Sequence, residues 1–167
     1  MVERLVLLET EVIKYEGLFE AKEVIGVIKQ WAKDKGYVYL EISHIETTKP
    51  EGKYVEINGM CFKKLTDYTK SLMRLRVQFN DYKDVVIDQD GKKKKVHEGK
   101  VAISTTGFIE TDYEGRWESK PHFYFMRILW HKYVYSPLIS GHETQIKEDV
   151  TMLRNNVKSF LNLTQFQ

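Results

Sequence analysis

At 167 residues and 42% hydrophobic, the chain can bury about 70% of the surface its unfolded form exposes, and it is expected to fold as a single domain over residues 1–167. Its 26 basic and 24 acidic residues leave a formal charge of +2, which excludes the strongly basic balance of a general polyanion binder. Cys61 is the sole cysteine, which excludes an internal disulfide and a thiolate metal cluster.

The first segment, Leu5–Tyr15, is rich in Val, Ile and Leu and reads as a strand. From Leu18 the period changes: Val24, Val27, Ile28 and Trp31 fall on one stripe of an amphipathic helix. Glu20 and Glu23 lie in its first turn and Lys33 and Lys35 in its last, both opposing the macrodipole, and Gly36 supplies the left-handed residue that ends it. Strands are then expected at Tyr37–Thr47, Tyr54–Leu65, Asp67–Asn80, Lys83–Asp88, Lys93–His97 and Lys100–Asp112, with turns at Pro50–Lys53, Gln89–Lys92 and Glu98–Gly99. In Asp67–Asn80, Met73, Leu75, Val77 and Phe79 point one way and Leu72, Arg74, Arg76 and Gln78 the other, the alternation of an antiparallel sheet with one face in water. Gly107 marks a bulge or sharp bend. Pro121–Tyr135 reads as an aromatic helix stopped by Ser136-Pro137, with a strand as the alternative. Last comes a long helix, opened by a Ser140–Glu143 capping box, with Ile146, Val150, Leu153, Val157 and Phe160 as its seam and Lys147, Glu148, Arg154 and Asn155 as its polar back. The fold class is therefore α+β: a curved antiparallel sheet of about six or seven strands with three helices.

Signals for chemistry are sparse. His44, His97, His122, His131 and His142 lack metal-ligand spacing, and in Asp88–Gly91 a calcium-loop register would put Val86 and His97 where oxygen donors belong, so neither metal nor cofactor is expected. Cys61 alternates with Val55 and Ile57 on a core face, which makes it an inert buried thiol. The carboxylate pairs Asp112/Glu114, Asp81/Asp84 and Glu148/Asp149 fall in polar turns or on the solvent side of a helix. The balance leans away from an enzyme.

Two surface features stand out. Lys92, Lys93, Lys94 and Lys95, with Lys100 behind them, form a basic hairpin; edge protection outweighs anion or RNA contact, because Asp88, Asp90 and Glu98 flank the run. The aromatic segment carries Phe123, Tyr124, Met126, Arg127 and Trp130 beyond what one buried stripe needs. Three readings stand for it: burial on both faces, a homodimer or protein-partner surface, and, least favoured, membrane contact. The apolar opening Met1–Leu8 lacks a basic flank and cleavage site, and Phe123–Tyr135 is broken by Arg127, His131 and Lys132, so a cytoplasmic location is expected, with nucleic acid and membrane disfavoured as partners.

The element order (strand, helix, antiparallel strands, long final helix) resembles the helix-grip fold of the START and birch-pollen-allergen superfamily, although the first helix here is single rather than a V-shaped pair. The stretches Tyr15–Phe19 and Asp112–Trp117 are also similar to those of small uncharacterised archaeal proteins, a likeness that brings no activity. What the helix-grip resemblance implies is a hydrophobic small molecule or lipid held between the concave sheet and the last helix. The residues that would line such a cavity are Met73, Leu75, Val77, Phe79, Val101, Ile103 and Ile109 from strands and Val150, Leu153 and Val157 from the helix.

Overall fold

Period-two patterning over most of the first 111 residues becomes one sheet. The computed structural model describes residues 3–50, 52–89, 92–113 and 136–164. Their order is β1 (Glu3–Phe19), α1 (Ala21–Asp34), β2 (Val38–Lys49), β3 (Gly52–Lys64), β4 (Thr69–Gln89), β5 (Lys92–Thr111) and α2 (Ser136–Thr164). All neighbouring strands are antiparallel, in the spatial order β1-β5-β4-β3-β2. The expected aromatic element at 121–135 lies outside the described residues. No helix among those described is long and apolar enough to cross a membrane.

Helix α1 forms where its stripe predicts: Val24, Ile28 and Trp31 are buried, joined by Ile25 and Ala32, while Val27 of the stripe is only half-buried. Gly36 takes φ 73°, its N–H donates to the Lys33 carbonyl at 3.1 Å, and Tyr37 N–H donates to the Ala32 carbonyl at 2.7 Å. These bonds use carbonyls the helix end would otherwise leave unpaired.

The sheet has five strands, not six or seven. Asp67–Asn80 and Lys83–Asp88 belong to the single strand β4, and Lys93–His97 and Lys100–Asp112 to β5. The apparent break in β4 is a bulge, with a register shift between Asn80 and Lys83 and Asp81 at φ 53°. Extra chain in one strand bends it without ending the ladder. The neighbouring strands make room at that corner: a Cβ on Gly99 would stand 2.8 Å from Tyr82 Cα, and one on Gly52 2.8 Å from the Asp81 carbonyl carbon. Glycines read as turn residues thus permit a close approach at a bend.

Both helices lie on one face of the sheet, here called the inner face. The α2 seam of Ile146, Val150, Leu153 and Val157 is buried against it, with Leu161 rather than the half-buried Phe160 as the last fully covered residue. Gly107 sets the approach, since a Cβ there would lie 3.1 Å from Val150 Cγ2. Helix α2 starts at Ser136, so Pro137 opens a helix instead of closing one, and Ser140 lies within it rather than capping it. A first-turn proline forfeits no helical hydrogen bond. Three charged residues expected toward solvent are buried: Arg154 on α2, Asp149 on α2 and Asp112 after β5. Arg154 and Asp149 sit beside the seam, close enough to reach polar groups on the sheet and on the segment after α1.

Candidate functional site

The ten residues expected to line a cavity do come together. Met73, Leu75, Val77, Phe79, Val101, Ile103, Ile109, Val150, Leu153 and Val157 each keep 2% or less of their surface accessible and belong to one apolar cluster. Side chains that interlock this closely occupy the space between α2 and the sheet themselves. Cys61 is fully buried among them, and burial pushes its thiol up to about 12, which leaves it protonated and unreactive at neutral pH. No group of three or more His, Cys, Asp or Glu among the described residues is placed to hold a metal ion.

Space opens instead on the helix side, where α1 and α2 meet. A solvent-facing groove of about 510 Å³ runs between them, lined by Gly26, Val27, Gln30, Trp31 and Asp34 of α1 and by Asn156, Ser159 and Phe160 of α2. Its floor is apolar and its rim polar. Gly26 widens it, because nothing lies within 4 Å of where a Cβ would stand. Trp31 stacks on Tyr37 with ring centroids 5.3 Å apart, and its indole Nε1 is buried with no hydrogen-bond partner among the described residues. The sequence carried one signal for this site. A glycine inside a helix costs about 1 kcal/mol relative to alanine, so Gly26 needs a reason beyond the helix itself.

Beneath α2 the core contains polar ties. Tyr37 donates its hydroxyl to Asp149 Oδ2 at 2.9 Å and meets Ser71 Oγ at 3.0 Å, while Lys35 Nζ lies 3.5 Å from Asp149 Oδ1. Burial, with the Asp149 carboxylate beside it, holds the Tyr37 hydroxyl well above its usual pKa, so it stays a donor. These groups join α2 to the segment after α1 and have the geometry of a structural clamp.

The outer face of the sheet is chemically different. Register places Val6, Phe108, Leu72, Phe62 and Val38 in one row across all five strands. Beside it Lys70 Nζ lies 4.7 Å from the Phe62 ring centre, and the Arg74 guanidinium 5.6 Å from that of Phe108. Leu72, expected to face water, is buried within this row. Two positions along β4 from Arg74, Arg76 donates to Glu56 Oε2 at 2.8 Å. Glu56 also accepts from Tyr54, from Asn58 at 3.0 Å and from Gln78 at 3.0 Å. These donors, Arg76 first, hold the Glu56 carboxyl down at about 2. The edge strand β2 exposes Val38, Leu40, Ile42 and Ile45, each 49–58% accessible.

Of the expected anion-binding lysines, the Lys92 side chain lies outside the described residues. Lys93, Lys94 and Lys95 are exposed, Lys94 pairs with Glu20 at the start of α1, and Lys100 faces Glu16 at 4.0 Å. The expected partner residues Phe123, Tyr124, Met126, Arg127 and Trp130 lie outside the described residues.

No protein-family model matches the chain, and no curated protein does. The solved structure of an uncharacterised protein from Rhizobium leguminosarum aligns with 97% of this chain and 98% of its own at 10% identity and a TM-score of 0.21. So loose a superposition carries no argument about fold or function.

Proposed function

We propose that the chain is a small cytoplasmic binding protein of helix-grip type, and that it holds an apolar small molecule in the groove between α1 and α2. The helix-grip part of this reading is supported by topology: the last strand lies beside the first, and the remaining strands follow as a meander, β1-β5-β4-β3-β2. One observation carries the ligand part. The groove of about 510 Å³ has Val27, Trp31 and Phe160 as apolar lining and Gln30, Asp34, Asn156 and Ser159 as polar lining. Its volume falls within the range of about 300–1,000 Å³ typical of small-molecule sites. Binding is favoured over catalysis because the one thiol is buried and protonated, which removes it as a nucleophile.

The test is a pair of measurements on wild type and Gly26→Trp. A Cβ added at Gly26 meets nothing within 4 Å, so a tryptophan there has room to extend over the groove it lines, and replacing a helical glycine favours the fold. Wild type is expected to enhance the fluorescence of an apolar naphthalene dye and to carry a co-purified ligand in native mass spectrometry. Gly26→Trp should lose both while keeping its thermal midpoint. Equal dye binding by the two proteins removes the reading.

A second reading, self-association or docking of a protein partner, is favoured by β2. Edge strands are ordinarily blunted by charge or bulges. Here four branched apolar side chains, Val38, Leu40, Ile42 and Ile45, stand about half exposed on the edge, and the register shift between Glu41 and Ser43 is the one irregularity. Sedimentation velocity of wild type against Leu40→Lys distinguishes a dimer from a monomer.

A further inference from the structure

The formal charge of +2 conceals how charge is distributed. Strand register places Lys64, Lys70, Arg74 and Arg76 on the outer face of the two central strands, with Arg4, Lys14 and Lys100 on the strands beyond. As far as the bulge at Asn80, the same register places three carboxylates on this face, Glu16, Glu56 and Glu110, and the next row pairs Lys83 with Glu98. Counting that row, eight cations against four carboxylates exceed the excess of the whole chain, so this face is its cationic side.

The arrangement is as informative as the count. Lys70, Arg74 and Arg76 follow one another down β4, and Arg74 and Arg76 stand roughly 7 Å apart, two strand residues. Arg76 is pre-oriented: the buried Glu56 carboxylate fixes one side of its guanidinium while 52% of the side chain stays in solvent. Arg74 makes no ion pair among the described residues and rests on the Phe108 ring. Lys70 covers the Phe62 ring in the same way and shares Glu110 with Arg4. Aromatic faces beside a line of cations offer the two things an unpaired polynucleotide needs: a plane for a base and a counter-charge for each phosphate. A base edging onto Phe62 or Phe108 would release the cation above it to the backbone. An anionic lipid surface fits less well, since Leu72 is buried and Phe62 and Phe108 lie half-buried beneath Lys70 and Arg74, which leaves no exposed apolar centre to enter a bilayer.

We propose that the outer face of the sheet, centred on Arg74, Arg76, Phe62 and Phe108, is a binding platform for single-stranded nucleic acid. It is independent of the groove between the helices, which lies on the opposite side of the sheet.

Fluorescence anisotropy with a labelled mixed-sequence single-stranded RNA of about 12 nucleotides, from 50 to 200 mM salt, tests it. Wild type is expected to bind at low salt, to weaken steeply as salt rises and to prefer the single strand over its duplex. Arg74→Glu should lower affinity at least about tenfold and flatten the salt dependence, whereas Phe108→Leu should lower affinity and leave the salt slope unchanged. The double substitution Lys93→Glu, Lys95→Glu on the hairpin is expected to stay within about twofold of wild type, given the weak salt-dependent worth of exposed charges away from the site. Absence of binding at 50 mM salt overturns the proposal. So does an equal loss in the hairpin variant, or tighter partition onto vesicles one-third anionic in phospholipid than onto RNA. Because Gly26→Trp leaves this face untouched, failure here is distinguishable from failure of the groove.

Discussion

Arg154 of α2 donates from Nε to the Thr105 hydroxyl of β5 at 2.7 Å and from Nη2 to the Thr105 carbonyl at 2.9 Å. A third bond reaches the Glu9 carbonyl at 3.1 Å, and Nη1 lies 2.9 Å from Glu11. Between Leu8 and Glu11 the pairing of β1 with β5 slips, so the Glu9 carbonyl falls in the irregular stretch. The guanidinium fork takes up that carbonyl and bolts the last helix to two strands at once.

Replacing Arg154 therefore strands two buried acceptors on Thr105 together with the part-buried Glu9 carbonyl. Arg154→Met keeps the stem's packing yet leaves Thr105 and Glu9 without their donor, and should cost about 3 kcal/mol. Arg154→Lys recovers only part of this, because a point charge cannot serve the same diverging acceptors. Urea denaturation midpoints of the three proteins check the order wild type, Lys, Met.

The same helix comes close to the sheet at Gly107, where a Cβ would stand 3.1 Å from Val150 Cγ2. Gly107→Ala needs Val150 to give by a few tenths of an ångström and should cost about 1 kcal/mol; Gly107→Val, which adds bulk where α2 rests, should cost about 2–3 kcal/mol. Coupled with Val150→Ala, each loss should shrink, since the collision partner is gone. A double-mutant cycle showing additive losses would mean that the two positions do not touch.

Where local pattern alone decides, the sequence was legible: the α1 stripe at Val24, Ile28 and Trp31, its Gly36 terminus, the alternation of Met73 through Phe79, and the α2 seam from Ile146 to Val157 stand as read, while Val27 and Phe160 are only half-buried. What escaped it depends on neighbours distant in the chain. Gly99 and Asp81 look like turn residues, but β1 through β5 pair straight past them, and only the bulge opposite reveals a bend. Arg154 and Asp149 look like a solvent-facing helix back until a slipped β1 register and the Tyr37 hydroxyl supply partners inside. Outer-face charge was hidden for the same reason, because summing lysines and carboxylates along a chain says nothing of which strand face each one takes.

Cys61 offers a direct probe of the core. Fully buried and with its thiol pushed up to about 12, it should not react with an aromatic disulfide reagent in the folded protein at pH 8. One equivalent should react once denaturant exposes it, at a rate tracking global unfolding. Prompt labelling of the native protein would mean that β3 opens locally.

The Glu56 network sets an acid limit on the fold. The folded carboxyl titrates at about 2 against an ordinary value of 4.5, so between those values the unfolded chain binds the proton and the folded one does not. Its stabilisation is therefore fully present above pH 4.5 and disappears as pH falls toward 2. Since Arg76 is half in solvent, screening reduces the worth of the network to about 1 kcal/mol. Glu56→Gln should lose that amount from pH 7 down to about pH 4.5, and the difference from wild type should shrink below that. Denaturation curves of both proteins from pH 7 to pH 3 measure it: a constant difference across that range would show that the glutamate packs by shape and not by charge.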